Sequence, residues 1–138
     1  MIDLNINTIT EECIQLAAQR FTLPPILIKA VLLVEGGKIG QTHSNKNGSY
    51  DIGPMQTNII WLPKFSKYVS YKEILHNGCT NVQVGAWILR YNINQSGDFW
   101  SGVGNYHSAT LKKHIAYQQR VYKAAQYIKY KSRKKVGK

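Results

Sequence analysis

A glutamate at the end of an apolar stretch is the residue in this sequence best suited to chemistry. Within residues 26–34 only Lys29 is polar, and Glu35 follows directly. Two prolines before the stretch suit a first helical turn, and Gly36 suits the left-handed position that ends a helix, so the pattern predicts a buried helix. Apolar neighbours and the negative end of the helix dipole both disfavour an ionised carboxyl here. We therefore expect a raised pKa for Glu35, which makes it a candidate general acid. The competing interpretation is a solvated cap, as for most glutamates before glycine.

The size and composition of the chain fit one folded domain. It has 138 residues, 43% of them hydrophobic, and domains most often contain about 100–150 residues. The longest apolar stretch is far shorter than the roughly 20 residues that cross a bilayer, so we expect no membrane span. The N-terminus lacks the basic-then-apolar pattern of a secretory signal. This leaves a cytoplasmic protein or a mature form with an added Met1.

The basic residues are unevenly distributed. The net charge is +11, and 6 of the 18 lysines and arginines lie in residues 129–138, which contain no acidic residue. We therefore predict a folded domain over residues 1–128 and a basic flexible tail over residues 129–138. The domain stays positive and would attract an anionic polymer such as nucleic acid, a teichoic or phospholipid surface, or peptidoglycan. No recognised nucleic-acid-binding motif is present, so we expect no nucleic-acid partner.

Periodicity predicts helices around one small non-helical lobe. Residues 10–20 read as a first helix with Thr10 as its N-cap. Residues 38–56 read as an irregular or β lobe, because Asn47-Gly48 favours a tight hairpin turn. A helix is expected to begin near Asn58 and to end at Trp61-Leu62-Pro63.

Four further helical stretches are predicted after the lobe, the first of them a short turn of helix within residues 68–76. Residues 79–91 form a strong helix, capped by Thr80 or Asn81, in which Gly85 indicates a close packing contact. Residues 99–105 form a short helical turn. Residues 111–130 form a long helix with a predicted apolar stripe of Leu111, Ile115, Val121, Ala125 and Ile128.

The cysteines and histidines bear on the compartment and on metal binding. Cys13 and Cys79 could form one disulfide in an oxidising compartment or remain two buried thiols, and their spacing does not decide. The four histidines lack carboxylate or thiol partners at ligand spacing, so we predict no metal site and no cofactor. The three tryptophans are expected mainly in the core.

Five sequence blocks in a consistent order resemble a known family. The blocks are Pro24-Pro25, Glu35-Gly36-Gly37, Asp51-Ile52-Gly53-Pro54-Met55-Gln56, Cys79-Thr80-Asn81 with Gly85-Ala86-Trp87-Ile88-Leu89, and Gly104-Asn105-Tyr106-His107-Ser108. The sequence resembles the lytic transglycosylases of the lysozyme-like superfamily over about residues 10–125. More narrowly, it resembles the small accessory muramidases of type III and type IV secretion and conjugation systems.

The resemblance implies a fold and an activity. The fold would be α+β but mainly α-helical, lysozyme-like, with the small lobe around residues 38–56. The activity would be cleavage of the β-1,4 bond between N-acetylmuramic acid and N-acetylglucosamine in peptidoglycan, leaving 1,6-anhydromuramoyl ends. Glu35 matches the catalytic residue, which would act first as general acid and then as base.

The resemblance also assigns roles to residues of the later blocks. Met55, Gln56, Asn58, Tyr106 and His107 would contact the sugar strand. The branch shares Tyr-His-Ser at residues 106–108, whereas the serine usual after the catalytic glutamate is replaced by glycine.

Asp51 is the other acidic residue within these blocks, and it would lie on the lobe across the cleft from the catalytic helix. Lysozymes place their second carboxylate there, so Asp51 is a second catalytic candidate. The alternative is an aspartate that hydrogen-bonds the turn around Gly53.

A location and partners follow from the same resemblance. Cys13 and Cys79 match a pair that forms a disulfide in exported relatives, so we expect a bridged, periplasmic monomer that acts on a peptidoglycan glycan strand beside a secretion or conjugation apparatus. The alternatives are a hydrolytic muramidase of the same fold and a non-catalytic peptidoglycan-binding scaffold of the apparatus.

Overall fold

The computed structural model describes residues 9–108 and 110–136, and these form seven α-helices and one small sheet. The elements are α1 (Glu11–Phe21), α2 (Pro25–Glu35), β1 (Thr42–Ser44), β2 (Tyr50–Ile52), β3 (Thr57–Asn58), a 3₁₀ turn (Ile59–Trp61), α3 (Leu62–Phe65), α4 (Tyr71–His76), α5 (Gly78–Ser96), α6 (Phe99–His107) and α7 (Leu111–Val136). The strands form an antiparallel sheet in the order β1-β2-β3. The architecture is therefore α+β and mainly helical, as predicted.

The first two helices follow their sequence signals. The Thr10 side chain accepts a hydrogen bond from the Cys13 backbone N–H at 3.0 Å, which confirms the predicted N-cap. In α2 the residues Leu27, Ile28, Ala30 and Val31 are buried in the core. Gly36 adopts φ 62° and ends the helix, so Glu35 occupies its last turn as predicted.

The predicted lobe is a three-stranded sheet that extends slightly beyond residue 56. The turn between β1 and β2 closes with a hydrogen bond from the Asn45 N–H to the Ser49 carbonyl at 2.9 Å. Gly48 adopts φ 87°, a conformation that glycine takes without strain. Asp51, at the centre of β2, is paired in register with His43 on β1 and Asn58 on β3.

The segment after the sheet corrects one predicted helix end. The Asn58 side chain accepts from the Ile60 N–H at 3.0 Å and so caps the 3₁₀ turn. The helical segment does not end at Trp61-Leu62-Pro63, because α3 begins at Leu62, directly after the 3₁₀ turn. Pro63 lies in the first turn of α3, where its missing N–H would have no partner.

Helix α5 holds the lobe in place through one buried amide. Asn81 is fully buried; its Oδ1 accepts from the Met55 N–H at 2.9 Å, and its Nδ2 donates to the carbonyls of Ile52 at 3.0 Å and Ile74 at 3.2 Å. It is therefore a core residue and not the helix cap, a role that Asn77 fills by accepting from the Thr80 N–H.

The predicted close contact at Gly85 is confirmed. A Cβ at this position would lie 2.5 Å from Met55 Sδ, which is shorter than a van der Waals contact. Glycine therefore lets the loop after β2 approach the helix backbone.

Helix α7 packs through a different stripe from the predicted one. Leu111 is 71% and Ile115 43% exposed, whereas Tyr117, Val121 and Ala124 are buried. These three positions recur at the spacing of one helical face. The predicted stripe is therefore wrong at its N-terminal end.

The C-terminal part of α7 continues as a helix beyond residue 130, to Val136. Residues 129–134, part of the predicted flexible tail, are helical and exposed. The positions that would continue the buried stripe include Lys131 and Ser132, so packing ends where these polar residues begin. Residues 137 and 138 of the tail lie outside the described residues, and the division at residue 128 stays a prediction.

A disulfide joins the first helix to the fifth. Cys13 and Cys79 are bonded, with their Cα atoms 5.7 Å apart, as the family resemblance implied.

In the described ranges no single helix has the length and apolarity of a membrane span; α1 and α2 meet that test only as a pair bent by 119°.

Candidate active site

A cleft of about 620 Å³ lies between the sheet lobe and the helices, and it contains both predicted carboxyl groups. Glu35 reaches it from the end of α2 and Asp51 from the middle of β2. Its walls also include residues of the β1–β2 turn, of β3 and the 3₁₀ turn, of α5, of the end of α6 and of the start of α7. The fold therefore brings together residues that are far apart in the sequence.

The surroundings of Glu35 favour its protonated form. The pKa of this carboxyl is raised from 4.5 to about 7. Burial is the largest cause; the Tyr117 hydrogen bond and the Arg120 cation act in the opposite direction, and the negative charge of Asp51 adds to the rise. The cause is mainly desolvation, because an ionised carboxylate loses hydration against apolar walls. The predicted direction of the shift is confirmed.

Tyr117 orients the Glu35 side chain, and it was not among the site residues predicted from the sequence. Its hydroxyl donates a hydrogen bond of 2.7 Å to Glu35 Oε2, and its ring is fully buried. Burial raises the pKa of Tyr117 far above its ordinary value, and the charge of Glu35 adds to this effect, so the phenol remains a donor. The spacing of residues 117, 121 and 124 on α7 was the signal that could have found it.

His107 lies beside this pair. Its imidazole stacks on the Tyr117 ring, with 4.9 Å between centroids and 9° between planes, and it lines the cleft. Burial lowers the pKa of His107, and the cations Arg120 and Lys113 lower it further. The ring is therefore held in its neutral form at neutral pH.

Asp51 is held by a neighbouring strand. Asn58 Nδ2 donates to Asp51 Oδ1 at 2.8 Å and to Ser49 Oγ at 3.0 Å. This hydrogen bond comes from a side chain across the sheet and not from the turn around Gly53, which was the alternative considered from sequence. One oxygen of Asp51 is thereby oriented, and the carboxyl group lines the cleft.

The predicted substrate-contacting residues divide into two groups. Gln56, Asn58, Tyr106 and His107 line the cleft. Met55 does not: its side chain is fully buried, packs near Gly85, and does not reach the cleft. The expectation for Met55 is therefore corrected, because the close approach of its loop to α5 turns the side chain into the core.

The backbone carbonyl of Met55 positions a residue of the cleft. Its carbonyl accepts a hydrogen bond of 2.7 Å from the Tyr106 hydroxyl, which ties the end of α6 to the lobe. Gln56 is fixed nearby, because its Nε2 donates to the Gly53 carbonyl at 3.0 Å. Trp61, expected mainly in the core, also lines the cleft.

Within residues 9–108 and 110–136, no cluster of three or more histidine, cysteine, aspartate or glutamate side chains is arranged to hold a metal ion.

Comparison with known proteins identifies the family. Residues 12–129 match the family described as transglycosylase SLT domain. The chain is similar to a "Peptidoglycan-binding-like protein" of Escherichia coli O157:H7, 32% identical over 123 residues, covering 80% of this chain and 74% of the relative. It is also similar to invasion protein IagB of Salmonella typhimurium strain SL1344, 34% identical over 112 residues, covering 80% and 70%. Protein IpgF of Shigella flexneri is 28% identical over 119 residues, covering 81% and 78%. Since the family match spans most of the chain, including Glu35 and Tyr117, this chain belongs to the transglycosylase SLT domain family.

Proposed function

We propose that the chain is a peptidoglycan lytic transglycosylase that cleaves the β-1,4 bond between N-acetylmuramic acid and N-acetylglucosamine. The observation that carries the proposal is the position of Glu35, a carboxyl group with a pKa of about 7 in the wall of a cleft. A group with this pKa is present in both its acid and its base form at neutral pH. Membership of the transglycosylase SLT family supports the same reaction.

In the first step Glu35 donates its proton to the glycosidic oxygen. The bond from the muramoyl C1 to that oxygen breaks, N-acetylglucosamine leaves with a free hydroxyl, and positive charge develops at C1 and the ring oxygen. Glu35 is now a carboxylate. The Tyr117 hydroxyl stabilises this charge by its hydrogen bond to Oε2.

In the second step the same carboxylate acts as base. It accepts the proton of the muramoyl C6 hydroxyl, O6 attacks C1, and the 1,6-anhydro ring closes without water. Glu35 is protonated again, so the cycle is balanced and needs no cofactor. The pKa of about 7 suits both steps, since neither proton transfer is strongly uphill.

Asp51 is proposed as the second carboxylate of the site. It lines the same cleft, and its charge raises the pKa of Glu35. A carboxylate at this position would stabilise the positive charge at C1. Asp51→Asn should lower activity and lower the pKa of Glu35, whereas full activity with normal folding would show a structural role only.

Gln56, Asn58, Tyr106 and His107 are proposed to contact the sugar strand. All four line the cleft, and the side chains of Gln56, Asn58 and Tyr106 are held by hydrogen bonds within the protein. Such fixed polar groups orient a bound sugar.

Product analysis tests the proposal. Purified peptidoglycan is digested with wild type and with Glu35→Gln, and soluble products are separated and weighed by mass spectrometry. We expect 1,6-anhydromuramoyl ends from wild type and no soluble products from the variant.

Two alternatives are separated by the same experiment. The position of Asp51 opposite Glu35 resembles the carboxyl pair of hydrolytic glycosidases, and reducing ends heavier by one water would identify a hydrolase. Binding of peptidoglycan by wild type without any soluble product would identify a scaffold.

We further propose that the protein works in the periplasm, where it opens peptidoglycan locally for a secretion or conjugation apparatus. The disulfide supports an oxidising compartment, and the name of one relative, invasion protein IagB, fits such a role. Fractionation of cells that carry the natural gene should find the protein in the periplasm with both cysteines oxidised. Recovery from the cytosol with two free thiols would contradict this placement.

A further inference from the structure

One exposed face of α7 combines lysine and tyrosine side chains. This Lys/Tyr face is formed by Lys123, Tyr127, Tyr130, Lys131 and Lys134, all of them exposed. Positions 123, 127, 130 and 134 recur at the spacing of one helical side, and position 131 lies next to them. Lys131 Nζ lies 5.9 Å from the centroid of the Tyr127 ring, and Lys134 Nζ lies 5.6 Å from that of Tyr130. The face is therefore a continuous strip of phenol rings and cations.

The rest of the described chain leaves this face uncovered. The opposite side of α7 packs into the core through Tyr117, Val121 and Ala124. Among the described residues of the helix, Ile128 is the last that packs against the core. The side chains of residues 129–134 are all exposed. The C-terminal turns of α7 therefore project beyond the core, with the Lys/Tyr face open to a partner.

The charge of α7 has one sign. Nine of the 18 lysines and arginines of the chain lie within Leu111–Val136, and no aspartate or glutamate follows Asp98. Among the described residues the one salt bridge joins Lys29 to Glu11, so no ammonium group of the face is paired with a carboxylate. Like charges along one helix repel each other, and an anionic partner relieves this repulsion. The charge therefore favours a partner that carries many negative groups.

The shape of the face and its tyrosines favour a lipid surface over a polymer. The outer side of a single helix is convex, whereas small ligands and sugars are held in concave sites. A flat membrane can contact such a helix along its length, while the long lysine side chains reach the lipid phosphates. Tyrosine suits the same boundary, because its ring is apolar and its hydroxyl is polar, and it is enriched where proteins meet the headgroup layer.

We propose that the Lys/Tyr face of α7 binds the surface of membranes that contain anionic phospholipid. The lysines contact lipid phosphates and the tyrosine rings enter the headgroup layer, so the attachment is peripheral. The face is separate from the cleft, because Lys113 lines the cleft from the start of α7 and the face begins about 15 Å farther along the helix, at about 1.5 Å per residue. The inference therefore goes beyond the proposed function and does not depend on it. Membrane binding holds the protein at a bilayer and leaves the cleft available to a glycan strand.

Co-sedimentation of the full chain with lipid vesicles tests the inference. The vesicles contain phosphatidylcholine and phosphatidylglycerol in a two-to-one ratio, and vesicles of phosphatidylcholine alone are the neutral comparison. The face variant is Lys131→Gln with Lys134→Gln, because glutamine keeps the helix propensity of lysine. The matched control is Lys67→Gln with Lys72→Gln, which replaces two exposed lysines before and within α4, a helix that packs on α5. Both double variants have the same net charge, so they separate the face from the charge of the whole protein.

Wild type should bind the anionic vesicles and not the neutral ones. Binding should weaken between about 0.1 M and about 1 M salt, because exposed charges are screened. A lysine near an anionic surface contributes about fivefold in partitioning, so the face variant should bind about 25-fold less tightly. The control should stay within about threefold of wild type, because charges beyond a screening length of about 10 Å add little.

The tyrosines are tested at unchanged net charge. Tyr127→Gln with Tyr130→Gln should weaken binding to the anionic vesicles, because the rings no longer enter the headgroup layer. Tyr68→Gln is the control, since Tyr68 is 80% exposed on a different part of the chain, and it should bind as wild type does. Circular dichroism verifies that each variant is folded.

Three results on vesicles would overturn the inference: no binding of wild type to the anionic vesicles, an equal loss in the two lysine variants, or unchanged binding of the tyrosine variant. A polymer partner would give a fourth contrary result, namely a larger loss in the face variant on duplex DNA or on lipid-free peptidoglycan than on vesicles. Vesicle binding requires no catalysis, so Glu35→Gln should bind as wild type does. Failure of the proposed function therefore leaves this test unaffected.

Discussion

Replacing Glu35 with glutamine should stabilise the folded protein at alkaline pH. The pKa of this carboxyl is about 7 in the folded state and 4.5 ordinarily. Between these values the folded protein keeps a proton that the unfolded chain has released, so the stability from the protonated carboxyl is complete below about pH 4.5 and is lost as the pH rises through 7. The difference between the folded and the ordinary pKa of Glu35 corresponds to about 3 kcal/mol of unfolding free energy.

Glutamine cannot ionise, and its amide oxygen can still accept the Tyr117 hydroxyl. Relative to Glu35→Gln, wild type should therefore lose about 3 kcal/mol between about pH 4.5 and about pH 8.5. Urea unfolding of the disulfide-intact proteins across this range measures the effect. With a slope of about 1–3 kcal/mol per molar urea, the midpoints should separate by about 1–3 M.

Glu12→Gln is the matched control, because Glu12 is exposed in the first turn of α1. Its unfolding curves should follow those of wild type across the range. If the midpoints of wild type and Glu35→Gln stay parallel from acid to alkaline pH, the carboxyl is not destabilised by burial, and the argument for a general acid is wrong.

Three further changes probe the supports of the site. Tyr117→Phe removes the donor that favours the carboxylate, so the pKa of Glu35 should rise by about one pH unit in a ¹³C NMR titration; an unchanged value would mean that the hydrogen bond does not act on Glu35. Asn81→Ala leaves the Met55 N–H and two carbonyls without their partner, so the free energy of unfolding in urea should fall by about 2–4 kcal/mol. A fall of less than about 1 kcal/mol would contradict the role of Asn81 in holding the lobe. Replacing both cysteines with serine opens a link across 66 residues, so the free energy of unfolding should fall by about 4 kcal/mol; equal urea midpoints would show that the disulfide is not a stabilising constraint.

The parts of the fold that were predictable are those set by local signals. The apolar run before Glu35, the glycine after it and the Asn-Gly turn each specify a backbone state within a few residues, and each occurs as predicted. The direction of the pKa shift of Glu35 was predictable for the same reason, because the apolar run of α2 marks the helix end as buried.

The parts that were not predictable depend on contacts between distant segments. Tyr117 lies 82 residues from Glu35, and its stripe was obscured by the apolar but exposed Leu111 and Ile115. Asn81 had the sequence features of a helix cap, and its buried amide makes sense only once β2 and α4 are placed against α5.

The lining of the cleft also depends on contacts between distant segments, so it could not be predicted in full from the sequence. The family resemblance assigned Met55 to the sugar cleft, yet its side chain points into the core, because Gly85 leaves room for it there. Lys46 and Lys113 meet at one cleft only after the lobe and α7 are assembled.

The proposed reaction requires that Glu35 holds a proton at neutral pH and transfers it to the glycosidic oxygen. The most direct measurement is a ¹³C NMR titration of the Glu35 side-chain carboxyl, set beside the pH dependence of kcat/KM on peptidoglycan strands. We expect the carboxyl to titrate near pH 7 and the activity to fall with the same pKa as the proton is lost at higher pH. Titration near 4.5, or activity that stays constant while the carboxyl ionises, would contradict it.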